Sequence, residues 1–139
     1  MIPKPRVGPG PAGIDEAMIE TQVRTFYDRV RRDPVLGPIF NGAIEDWEAH
    51  LAKLCDFWSS VLLMTGRFKG SPMAAHARRP DIAHSHFALW LDLFERTARE
   101  VCPPAAADLF VEKSRMIGRS LAIGLAVSRG ELPLMSAQV

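Results

Sequence analysis

The chain is short of cysteine and tyrosine, carries no excess of either charge and has no long apolar run. Each shortage removes a class of function. Two cysteines, Cys55 and Cys102, make no disulfide framework, and no Cys-x-x-Cys pair suggests zinc. Lys and Arg total 17 against 16 Asp and Glu, a formal net charge of +1. That balance gives no electrostatic warrant for nucleic acid or an anionic membrane as partner. No apolar run approaches the roughly 20 residues needed to span a bilayer. The opening stretch MIPKPRVGPGPAG lacks the apolar centre of a signal peptide. The expectation is a reduced, soluble, cytoplasmic protein. No segment alternates with period two, and no Asn-Gly or Asp-Gly joins alternating runs, which argues against strands. His-Glu-x-x-His and paired Glu-x-x-His motifs are missing too, so a carboxylate-rich metal site is not expected.

What remains is an ordinary globular balance: 139 residues, 47% hydrophobic and 24% charged, enough for one domain with a real core. Residues 1–13 hold four prolines and three glycines and read as a flexible arm, with residues 129–139 as a frayed tail. Between them, residues 14–128 form the domain. Four segments carry helical periodicity. From Ile14 to Arg32, Ile19, Val23, Phe26, Tyr27 and Val30 recur at three and four, and Asp33-Pro34 ends the run. From Ile44 to about Thr65, Trp47, Leu51, Leu54, Trp58 and Leu62 draw a broad stripe, with Gly66 as expected C-cap. From Pro80 to Val101, Asp81 is placed to cap a helix bearing His86, Trp90 and Leu93. After Pro103-Pro104, a last helix runs from about Ala105 to Ser128. The fold class is all-α. The link from Gly66 to Pro80 is long for a compact domain, as functional loops often are.

The histidines and inward aromatics point to chemistry only in combination. His84 and His86 lie two apart on a helix and cannot pinch one metal. His50, three after Trp47 and four before Leu54, suits a core or rim position. His76 lies in the loop, where a surface histidine and a metal ligand are both open readings. Tyr27, the one tyrosine, and Trp90 read equally as core aromatics or as hydrogen-bond donors. Together, a hydroxyl, an imidazole and an indole N–H on inward helix faces, with a second imidazole on an irregular loop, suit a flat apolar cofactor. Haem iron held by one histidine is the candidate.

Four ordered stretches carry a family resemblance: FYDRVRRDPVLGPIF from Phe26 to Phe40, WEAHLAKLCDFW from Trp47 to Trp58, FKGSPMAAH from Phe68 to His76, and HFALWLDLFERT from His86 to Thr97. The set resembles the group III truncated haemoglobins from about residue 14 to 128. The resemblance implies a shortened globin whose two helix pairs sandwich haem b. It implies His76 as the proximal iron ligand, with Tyr27, His50 and Trp90 over the distal face. Phe40 is then the aromatic wedged against the haem, with Leu54, Phe57 and Trp58 as pocket wall. Arg78 or Arg79 would reach a haem propionate. Cys55 stands out within the distal helix; a small buried hydrophobe is its simplest role.

The implied function is binding of O₂, NO, CO or related ligands, with nitric-oxide oxidation or peroxidase-type chemistry as the enzymatic extension. No Gly-x-Gly-x-x-Gly lies between a strand and a helix to hold a flavin or nicotinamide, so turnover would need an external electron donor. Two other readings compete: a gas or redox sensor without turnover, and a haem-free helical interaction module.

Overall fold

The computed structural model describes residues 10–70 and 84–128. Among them are five α-helices and no strand: α1 Glu16–Arg32, α2 Leu36–Ala43, α3 Trp47–Leu63, α4 His84–Val101 and α5 Pro104–Ser128. A 3-10 turn at Pro11–Gly13 lies against α5, so the last residues of the proline-rich arm are structured. The expected start of the third helix at Pro80 and Asp81 lies outside the described residues, as does most of the preceding link. Among the described residues no helix is long and apolar enough to cross a membrane.

Local chemistry explains the helix ends. The Asp15 carboxylate accepts from Met18 N at 2.9 Å and the Asp46 carboxylate from Ala49 N at 3.1 Å, capping α1 and α3. At Asp33 the backbone turns extended before Pro34, closing α1. The same residue opens α2, its Oδ2 accepting from Val35 N at 2.9 Å and Leu36 N at 2.8 Å. The α2 helix has no counterpart among the expected elements. The end of α3 also differs from expectation. Met64, not Gly66, is the left-handed capping residue, at φ 56° and ψ 36°, and Gly66 takes a second positive φ of 70° just beyond. Pro104 begins α5, where its missing N–H has no partner to lose.

The pair α1/α3 meets the pair α4/α5 chiefly through α1 and α4, and α2 packs on α1. Gly37 makes the last contact possible: a Cβ there would stand 2.7 Å from the Arg31 carbonyl oxygen. The core is built on aromatics. Trp58, Phe26, Phe94 and Phe110 are fully buried, each contributing roughly 1.5–3 kcal/mol by leaving water. Surface arginines join the helix pairs: Arg24 to Glu48 between α1 and α3, Arg29 to Glu100 between α1 and α4, and Arg99 to Asp108 and Arg115 to Glu95 at the α4/α5 pair. Exposed ion pairs of this kind add orientation more than stability.

Candidate functional site

The helix stripes do not close completely. Between α1, α3, α4 and α5 they leave a cavity of about 590 Å³, within the range of sites that enclose a cofactor. Every residue assigned to the pocket by resemblance that falls among the described residues lines it: Tyr27, Phe40, His50, Leu54, Phe57, Trp58 and Trp90. His76, Arg78 and Arg79 lie outside the described residues.

Each wall residue is placed by its helix. Tyr27 sits on the inward face of α1, four residues after Val23 and one after Phe26, and is only 4% exposed. Its ring meets Phe26 edge-on at 4.7 Å, Phe40 at 5.9 Å and His50 at 6.1 Å. Trp90 comes from α4, its indole stacked on Phe94 at 5.3 Å with the planes only 8° apart. Phe94 stacks in turn on Trp58 at 5.1 Å. This stack holds the Trp90 ring in one plane at the cavity edge.

The electrostatics centre on Tyr27. Burial pushes its phenol well above the ordinary value, and the Trp90 indole pulls the other way. An indole nitrogen can only donate, so toward Trp90 the Tyr27 oxygen can only accept. The tyrosine therefore stays protonated, and its O–H proton remains available as a donor. Burial also pushes up the thiols of Cys55 and Cys102, keeping both as uncharged S–H groups.

Several wall residues were not assigned to the pocket from the sequence. Lys53, Arg67 and Lys69 bring positive charge to the cavity, with Asp56 beside them. Arg67 is held by Glu16 at 3.2 Å, and Glu16 also accepts from the buried Ser59 hydroxyl at 2.8 Å. Ser59 is bonded to Thr65 at 2.7 Å, and Phe68 N donates to Ser60 Oγ at 2.8 Å. Phe68 then packs edge-on against Phe57 at 5.2 Å. These bonds fold residues 64–70 over one end of the cavity. The alternating Arg67-Phe68-Lys69 triplet after α3 was the available hint. The floor adds His86, Phe87, Ile117 and Leu121. Among the described residues, no group of three or more His, Cys, Asp or Glu is placed to hold a bare metal ion.

Comparison with known proteins agrees with this geometry. No family model matches the chain. A group 3 truncated haemoglobin of Campylobacter jejuni is 35% identical over 108 residues, covering 75% of this chain and 85% of that protein. The crystal structure of a group III truncated haemoglobin from Campylobacter jejuni matches with a TM-score of 0.75 at 33% identity, covering 80% of this chain and 91% of that one. By sequence shared over most of both chains and by a common helical frame, this chain belongs to the group III truncated haemoglobins, all-α globins with a haem-binding fold.

Proposed function

We propose that this globin binds O₂, NO, CO and similar small ligands at the iron of haem b, with His76 as the protein ligand to the metal. The cavity suits that group. Its walls are mainly aromatic and aliphatic, matching a flat macrocycle, and Lys53, Arg67 and Lys69 offer cations to an anionic edge. By resemblance, Arg79 takes the same role. When bound, the haem supplies an iron with a coordination position open to a diatomic molecule and to peroxide.

The observation that carries this reading is the Tyr27–Trp90 pair. Both side chains line the cavity, the indole N–H can only donate toward the phenol oxygen, and burial keeps the Tyr27 proton in place as a donor. A ligand oxygen that gathers negative charge in this low-dielectric space gains from such a donor. One charge-assisted hydrogen bond contributes roughly 1.5–3 kcal/mol, on the order of a tenfold to hundredfold slowing of escape. His50 stands edge-on to Tyr27 and lines the same cavity. Slow escape favours O₂ held for reaction over O₂ carried. Oxidation of nitric oxide to nitrate and peroxide reduction are the chemistries that use it, with electrons from an external donor. The protonated thiols of Cys55 and Cys102 suit the reducing cytoplasm.

The test is the visible spectrum of the protein loaded with haemin, then reduced and exposed to CO, beside His76→Ala. A sharp Soret band with a histidine-ligated ferrous–CO spectrum, degraded in the variant, is the expected result. Failure to take up haem stoichiometrically overturns the proposal.

A further inference from the structure

We propose that Trp47 is a surface oxidation site, at which small anionic one-electron reductants of the ascorbate class deliver electrons that cross Tyr27 into the pocket when hydrogen peroxide is the oxidant. This rests on the reading that the cavity holds haem.

The rings lay out two routes from the cavity wall. One runs inward from Trp90 through Phe94 to Trp58, stacked at 5.3 and 5.1 Å. It reaches no surface, since Phe94 is wholly buried and Trp58, itself in the cavity wall, is 2% exposed. The other runs outward. Trp47 does not line the cavity but stands behind two residues that do, 6.1 Å from Tyr27 and 5.8 Å from His50 between ring centroids. Tyr27 and His50 are themselves 6.1 Å apart, so the three rings form one contact triangle. Trp47 is half-buried, and the exposed Arg31 places its guanidinium 4.6 Å over the indole face.

Electron tunnelling falls off exponentially with distance, so rings in contact carry it best. Among the carriers on the outward route, an indole gives up an electron far more readily than an imidazole. The phenol of Tyr27 must lose its proton to be oxidised, and burial resists that loss. Trp47 is therefore the terminal carrier, with Tyr27 as the ring between. Arg31 has two effects there. A cation over the ring disfavours an indole cation radical, so the oxidised ring sheds its N–H proton to water and persists as a strongly oxidising neutral radical. The same charge draws an anionic reductant to the exposed edge. Neither cysteine competes as a sink, because both thiols are held protonated.

The reaction balances. Peroxide accepts two electrons and two protons, its O–O bond breaks, and two waters leave. Each electron comes from Trp47, which also releases its indole proton. Each time, one ascorbate monoanion restores the ring by giving up one electron and one proton, so two monodehydroascorbate radicals form per peroxide.

The experiment treats the haem-loaded protein with hydrogen peroxide and a nitroso spin trap, maps the adduct by peptide mass spectrometry, and follows ascorbate oxidation. An adduct on Trp47, absent without peroxide and lost in Trp47→Phe together with ascorbate oxidation, is the expected result. Trp47→Tyr, which keeps an oxidisable ring, should retain both at a reduced level. Arg31→Gln should raise KM for ascorbate more than it changes kcat, and leave KM for a neutral phenol as in the parent protein. Labelling confined to Trp58, Trp90 or Tyr27 overturns the proposal, as does ascorbate oxidation undiminished in Trp47→Phe. The ferrous–CO spectrum of each variant reports whether haem is in place. Should Trp47→Phe fail to fold, the parent protein's adduct map and Trp47→Tyr decide the matter. A parent protein that takes up no haem overturns the proposed function and this site with it, whereas a loaded protein with Trp47 unlabelled overturns this site alone.

Discussion

Tyr27 on α1 and Trp90 on α4 face one cavity, both rings packed edge-on against Phe26, at 4.7 and 5.2 Å, and the indole lowers the phenol pKa against the effect of burial. An indole N–H can only donate, so toward Trp90 the phenol oxygen can only accept, and its own proton is left for the cavity. The Trp90 ring is fixed in turn by its stack on Phe94. A donor held this firmly needs little reorganisation when a ligand oxygen gathers charge.

Tyr27→Phe removes that donor while keeping the ring that packs against Phe26 and Phe40. In the haem-loaded ferrous protein, O₂ dissociation should accelerate on the order of tenfold to hundredfold, and CO dissociation by much less. Trp90→Phe should speed O₂ release by a smaller factor, since it frees the tyrosine without deleting it. Stopped-flow replacement of O₂ by CO measures both. Equal acceleration for O₂ and CO would mean that Tyr27 acts by filling space.

The single tyrosine gives a clean titration. Burial raises the Tyr27 phenol, so the neutral form is favoured in the folded state. The unfolded chain binds fewer protons once pH passes the ordinary tyrosine value of about 10. Stability from this group is therefore fully present below that pH and is lost as pH rises toward the folded value. Near-ultraviolet phenolate absorbance should appear at about pH 10 in denaturant, and in the native protein only together with loss of helical circular dichroism. Native protein that ionises at the ordinary value with its helicity intact would contradict the buried tyrosine.

The same residue shows why much of the site was legible in advance. Tyr27 recurs in phase with Val23 and Val30, and Leu51, Leu54 and Trp58 keep similar phase on α3, so periodicity alone turned these side chains inward. Helix ends written in local chemistry, Asp33-Pro34 and Pro103-Pro104, were equally readable. Three features were not. The α2 helix is eight residues long and contains Gly37, Pro38 and Gly42, too short for a period and rich in residues that usually break one. Met64 takes the left-handed cap because the chain must turn back over α3, a tertiary demand that overrode the preference for Gly66. Lys53, Arg67 and Lys69 follow no pattern that marks a pocket, and only the fold of residues 64–70, pinned by Glu16 and Ser60, brings the last two to the cavity.

Gly37 and Gly42 form a controlled pair within α2. A methyl group on Gly37 would press to 2.7 Å from the Arg31 carbonyl oxygen, which is backbone and cannot swing aside, whereas at Gly42 nothing lies within 4 Å. Gly37→Ala should therefore cost about 1–3 kcal/mol as the α1–α2 contact is forced open. Gly42→Ala should be neutral or stabilise by up to about 1 kcal/mol, through reduced freedom of the unfolded chain. Urea midpoints of the two variants, measured side by side, check the sign as well as the size. A Gly37→Ala midpoint at or above the parent value would show that α2 shifts freely. Its grip on Phe40 at the cavity wall would then be loose.

Phe94 concentrates more of the structure than any residue in the cavity wall. Wholly buried, it stacks on Trp58 and Trp90, meets Phe26 edge-on at 4.9 Å and Phe110 at 6.2 Å, and its carbonyl accepts from the buried Gln22 amide at 3.2 Å. Truncation to alanine should cost about 3–5 kcal/mol, a large share of the roughly 5–15 kcal/mol that holds a domain of this size folded. Phe94→Leu fills part of the space and should lose less. The functional consequence follows from the stack: with Phe94 gone, the Trp90 indole is free to tilt away from the Tyr27 side of the cavity. Both variants should therefore release O₂ faster than the parent, in the order of their instability, although neither touches the cavity. Denaturation midpoints and O₂ dissociation rates on the same haem-loaded samples test the link. Variants that lose stability yet release O₂ at the parent rate would show that Tyr27 is held by its own helix, without help from the ring stack behind Trp90.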